Sequence, residues 1–217
     1  MAKIKFNNEK EWLSFRKGKI GGTLVSAICG KNPYKNNVDA YNIIVNASDE
    51  SSTIDNEAVI KGKKAEELIL KLWALDHPKY KVKHFKYEVF TFDNVETYYS
   101  SPDGIAIDTE TGEIWMLEVK TAFLASASKK ESWKNNLIPP NYYCQCIWEY
   151  LSNPKAKGTI IIAELLYNDG LTQRITRYVP REDTKEDAEW LLNQVDIFTN
   201  DYVKKRVPPS LKLNIDL

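Results

Sequence analysis

The chain has 217 residues, 43% of them hydrophobic and 28% charged, which suits a single domain spanning 1–217 with a sizeable core. Thirty basic and thirty acidic residues cancel to zero net charge, so a generic polyanion binder is excluded and any nucleic-acid surface must be a local patch. No run approaches the roughly 18 apolar residues of a membrane span, and Cys29, Cys144 and Cys146 make neither a disulfide framework nor a four-cysteine metal set. With no signal-peptide apolar stretch at the N-terminus, a cytoplasmic location is expected.

In chain order, Asn8 to Lys17 reads as a first helix, capped by Asn7 or Asn8 and closed by Gly18. Gly21-Gly22-Thr23 then precedes the apolar run Leu24 to Cys29, a loop-to-helix transition with Thr23 as the expected cap. A hydroxyl, exposed backbone N–H groups and nearby Arg16 would make a phosphate cradle. An ordinary capped helix beside a surface arginine fits the same residues. Val38 to Ala47 reads as a helix, Ser48 to Thr53 as a polar connection, and Ile54 to Leu75 as the longest helix, ended by His77-Pro78. On it Val59, Gly62, Glu66, Ile69 and Trp73 share one face, with Gly62 leaving a gap where a ligand could approach. A carboxylate is rarely buried without a partner. Glu66 is therefore either a boundary residue paired with a lysine or part of a site, whereas Glu67 falls on the side of Lys63 and Lys71.

Tyr80 to Phe92 and Glu96 to Ser100 read as strands, with Lys79, Lys81, Lys83 and Lys86 forming the stripe of a solvated edge. They lead into the stretch that carries the chemistry, a β-hairpin with arms Ile105 to Ile107 and Ile114 to Val119 and a turn at Thr109 to Gly112. Placing Ile107 opposite Ile114 puts Asp103 opposite Glu118, and cross-strand Cβ atoms lie about 4.5–5.5 Å apart. Glu118 and Lys120 then point one way, Leu117 and Val119 the other. Two carboxylates that close repel unless something positive lies between them, and a divalent metal with Lys120 beside it answers the problem.

Beyond Lys120, Thr121 to Ser128 is small and polar, followed by Lys129, Lys130, Trp133 and Lys134. A mobile loop that stacks single-stranded DNA and a loop with one anchoring tryptophan both fit. Pro139-Pro140 opens a helix over Asn141 to Leu151. Gly158 to Leu166 and Thr172 to Val179 make a terminal hairpin around Asn168-Asp169-Gly170. Glu182 to Val207 closes the chain as an amphipathic helix with Trp190, Leu191, Val195, Phe198 and Tyr202 inward. His77 and His84 have no metal-ligand spacing and read as structural.

Several of these residues carry a family resemblance. Pro102-Asp103, fourteen residues, then Glu118-Val119-Lys120 resembles the signature of the PD-(D/E)xK nuclease superfamily. The flanks, Ser101-Pro102-Asp103-Gly104 and Leu117-Glu118-Val119-Lys120, resemble the lambda-exonuclease branch, or YqaJ-type viral recombinases. Arg16 and Thr23, on either side of Ile20, keep the spacing of that family's phosphate-contacting Arg and hydroxyl residue. Gly62-x-x-x-Glu66 is similar to its Gly-x-x-x-Glu motif, and Tyr142-x-x-Gln145 to its Tyr-x-x-Gln. Ile147 stands where the family often has a second glutamine.

The resemblance covers about Arg16 to Gln145 and implies an α/β fold with a restriction-endonuclease-like core, a central mixed β-sheet flanked by helices. It implies a Mg²⁺-dependent deoxyribonuclease, with Mn²⁺ able to substitute, most readily a 5′→3′ exonuclease on double-stranded DNA ends serving phage-type recombination. Asp103, Glu118 and the carbonyl of Val119 would hold the metal, with Glu66 placing a second ion or its waters. Lys120 would orient or deprotonate the attacking water, Gln145 would position the lysine or the water, and Arg16 and Thr23 would hold the terminal 5′-phosphate. A phage or prophage setting, a single-strand annealing partner and a homotrimeric ring around DNA are further implications. A structure- or sequence-specific endonuclease and a catalytically silent DNA-end-binding module remain open alternatives.

Overall fold

A computed structural model describes residues 2–47, 57–93 and 95–212. In chain order the elements are β1 (Lys3–Lys5), α1 (Glu9–Arg16), α2 (Gly22–Ile28), α3 (Asn37–Val45) and α4 (Glu57–Asp76). Then come β2 (Tyr80–His84), β3 (Glu88–Phe92), β4 (Val95–Ser100), β5 (Gly104–Asp108), β6 (Ile114–Phe123) and α5 (Ala127–Glu131). The chain continues with α6 (Pro140–Leu151), β7 (Ala156–Leu166), β8 (Thr172–Pro180), α7 (Lys185–Phe198) and a π-helical turn, Thr199–Val203.

A five-stranded mixed sheet in the order β2-β5-β6-β7-β8 is the frame. Only β6 and β7 run parallel, because α6 crosses over between them; the other neighbours are antiparallel. Period-two alternation sorts β7 between two layers. Ile160 and Ile162 pack under α4 with Ile69, Leu70 and Trp73, while Ile161, Ala163 and Leu165 join α2, α6 and α7 on the other face. The same alternation runs along β6: Leu117 and Val119 go to the α4 cluster and Met116 to the α6 cluster, so Glu118 and Lys120 are left pointing toward α6. This is the α/β arrangement expected of a restriction-endonuclease-like core.

Local chemistry accounts for the helix ends. Asn8 caps α1 through the Glu11 N–H at 2.9 Å, Asn36 and Asp39 form a capping box on α3, and Pro140 occupies the first position of α6. Thr23 is not a cap. Gly21 holds that position, and Thr23 is the exposed second residue of α2.

Some expected elements divide or extend. Tyr80 to Phe92 is two strands, because Tyr87 takes φ 57° and Phe85 N–H bonds the Asp103 carbonyl at 2.7 Å, turning the chain out of the main sheet. It enters a second sheet, β1-β3-β4, in which β1 is too short to leave a hydrophobic pattern in sequence. β6 runs on through Phe123, and Trp133 is buried against Tyr142, so the segment beyond Lys120 is an anchored strand end and short helix rather than a stacking loop. The last helix stops at Phe198, with Leu191 and Val195 inward but Trp190 45% exposed. The expected connection Ser48 to Thr53 and the start of the longest helix at Ile54 to Asn56 lie outside the described residues.

Candidate active site

The β5–β6 ladder keeps the register Ile107 opposite Ile114 and ends at Gly104 opposite Leu117. One step further the chain bends out. Asp103 keeps its N–H on the Leu117 carbonyl at 3.0 Å and uses its carboxylate Oδ2 to accept the Val119 N–H at 2.6 Å. Asp103 and Glu118 are thus held side by side by backbone pairing. Glu118 is 2% exposed, and its Oε1 accepts from both the Lys120 ammonium and the Gln145 amide, the latter at 2.7 Å. The same amide nitrogen donates to Glu149 Oε1 at 3.1 Å.

Glu149 is a member of this cluster that the sequence motifs missed. It lies one helical turn beyond Gln145 on α6, and that i, i+4 spacing is the signal that could have found it. It is 1% exposed, and Glu118 and Glu149 each have one buried oxygen without a donor. Burial, then the adjacent Glu118, push the Glu149 carboxyl well above the usual range.

Burial likewise raises Asp103 well above an ordinary aspartate, reinforced by Glu118 and Glu66, while Lys120 and the Val119 N–H pull it back. Burial alone would lower the Lys120 ammonium, but Glu118 and Asp103 outweigh it and hold the group above the ordinary lysine value. Tyr142 adds its ring face 5.2 Å from the ammonium.

Glu66 enters from α4 and is held by His84, whose Nε2 lies 2.9 Å from Glu66 Oε1. His84 is therefore part of the site and not merely structural. His77 does have a packing role, bonded to the Trp73 carbonyl at 2.8 Å and stacked on that indole. Glu67 pairs with Lys71 at 2.8 Å on the solvent side, as expected. At Gly62 a Cβ would come within 3.3 Å of Thr121 Oγ1, so the glycine lets α4 lie close to β6.

Arg16 and Thr23 form the opposite wall. Arg16 donates from Nε to the Tyr99 hydroxyl at 2.8 Å and lies 4.4 Å over the Trp12 ring, whose Nε1–H donates to Ser101 Oγ at 3.2 Å. Gly21 and Gly22 are small for steric reasons. A Cβ at 21 would meet the Tyr99 hydroxyl at 2.5 Å, and one at 22 would meet Gln145 Cγ at 2.9 Å. One cleft of about 550 Å³ is lined by all seven side chains singled out by sequence: Arg16, Thr23, Glu66, Asp103, Glu118, Lys120 and Gln145. Tyr99 and Trp12, which orient the arginine, also line it.

The donor chemistry fits a hard divalent cation. Asp103, Glu118, Glu149 and Glu66 gather around Lys120, and Glu118 and Glu149 each leave one buried oxygen without a donor. As the side chains stand, no three His, Cys, Asp or Glu groups among the described residues converge closely enough to hold an ion, so binding would draw the carboxylates inward.

The family described as YqaJ-like viral recombinase domain matches residues 11–152. None of the curated proteins matches the sequence. Among solved structures, an alkaline exonuclease from Laribacter hongkongensis, LHK-Exo, superposes with a TM-score of 0.62 at 16% identity, over 91% of this chain and 97% of that one. LHK-Exo in complex with dAMP gives a TM-score of 0.59 at 17% identity over the same shares. At such identities the likeness is one of fold.

Proposed function

Because this chain belongs to the YqaJ-like viral recombinase domain family, we propose that it is a metal-dependent deoxyribonuclease, a 5′→3′ exonuclease that degrades double-stranded DNA from 5′-phosphorylated ends. One observation carries the reading. A buried excess of carboxyl groups around Lys120 shares a single cleft with an oriented arginine and an exposed hydroxyl, the set needed to hold and hydrolyse a phosphodiester. The name of the structural neighbour, an alkaline exonuclease, supports it.

Asp103, Glu118 and the Val119 carbonyl would hold Mg²⁺ or Mn²⁺, with Glu66 placing a second ion or its waters. The bound ion supplies charge neutralisation at the scissile phosphate and an acidified water. Lys120, held charged by its carboxylate neighbours, acts in this reading by orienting the water and stabilising the pentavalent phosphorane-like transition state rather than as a base. Gln145, whose amide donates to the same Glu118 oxygen as the Lys120 ammonium, would position the lysine or the water. Arg16 and Thr23 would grip the terminal 5′-phosphate, which fixes the polarity of digestion. Double-stranded ends are then the partner, with a single-strand annealing protein as the user of the product.

End-labelled duplexes with 5′-phosphate or 5′-hydroxyl termini, incubated in Mg²⁺ or in chelator, test the reading, with covalently closed DNA alongside. Mononucleotide release from phosphorylated linear ends in Mg²⁺ alone is expected. Cutting of closed circles would replace it with an endonuclease, and binding without cleavage in any metal would leave a DNA-end-binding module.

A further inference from the structure

We propose that His84 is a direct nitrogen ligand of the cation held between Glu66 and Asp103, giving this position a mixed nitrogen–oxygen character and a preference for Mn²⁺ over Mg²⁺. The inference rests on the metal-dependent reading above.

The placement comes from the backbone. His84 ends β2 directly opposite Gly104, the residue after Asp103, and the next N–H, from Phe85, is bonded to the Asp103 carbonyl at 2.7 Å. His84 and Asp103 are therefore tied into one junction, and α4 brings Glu66 against it. Glu66 lines the same cleft as Asp103, and its Oε1 lies 2.9 Å from His84 Nε2. Two donors bound to one octahedral ion at about 2.1 Å sit about 3.0 Å apart, so the two atoms already span one edge of such a shell. The hydrogen bond between them holds this pair at that spacing, and the remaining carboxylates would move inward to complete the shell.

Charge favours the same assignment. The cleft already crowds Glu66, Asp103, Glu118 and Glu149 around Lys120. A further carboxylate would add repulsion, whereas a neutral imidazole adds a ligand with no charge. His84 is 25% exposed and lines the cleft, so an entering ion can reach it. Imidazole binds Mn²⁺ and later divalent metals better than Mg²⁺, which keeps to oxygen.

Pulsed EPR of the full chain loaded with Mn²⁺ tests this. The sequence holds two histidines, and His77 is engaged with Trp73 away from the cleft, so the assignment is clean. Directly bound imidazole should give ¹⁴N modulation in the wild type and in His77→Asn, and none in His84→Asn or His84→Ala. Titration of free Mn²⁺ should show one site weakened about 10- to 100-fold in the His84 variants and the other unchanged. The ratio of Mn²⁺ to Mg²⁺ affinity at the weakened site should fall as well. Bound Mn²⁺ without ¹⁴N modulation, or modulation that survives His84→Asn, overturns the ligand assignment while leaving the metal reading intact. Failure of the wild type to bind Mn²⁺ at all overturns the metal reading, and this inference with it.

Discussion

The Lys120 ammonium and the raised carboxyls of Asp103 and Glu149 answer one problem: four carboxyl groups gathered in one cleft. Asp103 and Glu149 both titrate above their unfolded values, so between the ordinary carboxylate pKa near ~4 and the raised folded values the native state holds more protons than the unfolded chain. Stability contributed by these groups is complete below that window and is lost as pH rises through it. Calorimetry in chelator should show the melting temperature falling with pH above ~4, by up to about 3–6 °C per unit for each group. Glu149→Gln should flatten the slope and raise stability at neutral pH, and a flat wild-type profile would contradict the assignment. For chemistry, Asp103→Asn and Glu118→Gln should abolish cleavage while keeping the fold and DNA binding. Lys120→Ala should lose turnover but retain cation binding, which calorimetric Mg²⁺ titration separates. Arg16→Ala should cut the preference for 5′-phosphate over 5′-hydroxyl ends about 10- to 100-fold, the worth of one charge-assisted hydrogen bond of roughly 1.5–3 kcal/mol. Equal loss on both substrates would assign Arg16 to general backbone contact.

Among the elements, α2 and α6 meet where Gly22 faces Gln145. Gly22→Ala should push the Gln145 side chain off Glu118 and depress activity strongly, with little change in melting. Gly112→Ala, in open space but at φ 75°, should cost about 1 kcal/mol of stability and leave activity alone. Comparing digestion rates with denaturation midpoints for the two variants checks the pair. The hairpin was legible in sequence because its register follows from alternation and one glycine turn, and Asp103 beside Glu118 followed from the register. Gln145 and Glu66 were legible only through motif spacing, since nothing in an isolated helix says which strand it will cover. Glu149 was passed over and His84 read as structural because each looks like a routine residue until the crossover brings α6 over β6 and pairing with β5 sets the end of β2 beside Asp103. The short strand β1 escaped for a different reason: three residues with two lysines show no apolar pattern, and tertiary pairing with β3 makes the strand.

The whole molecule is neutral, yet an exonuclease must keep hold of a duplex that it shortens. A lone neutral domain reaches few phosphates, and its affinity would fall steeply with salt. Three copies closed into a ring would remove the difficulty, and cyclic closure needs two different complementary surfaces on each subunit. Light scattering of the DNA-free protein should therefore give three times the 25.0 kDa subunit mass, with digestion continuing past a competitor trap. A 25.0 kDa particle that releases DNA after each cut would defeat the ring and leave the catalytic assignment standing. At the centre of the molecule, β6 has β7 along its whole length, but β5 leaves it at Leu117, and from there the Val119 N–H is held by the Asp103 carboxylate instead of a strand. In the language of amide hydrogen exchange, Val119 sits buried on a central strand while the protection of its own N–H depends on one ionisable side chain. Its deuteration rate is thus a built-in gauge of where that carboxylate rests, read without substrate and without turnover.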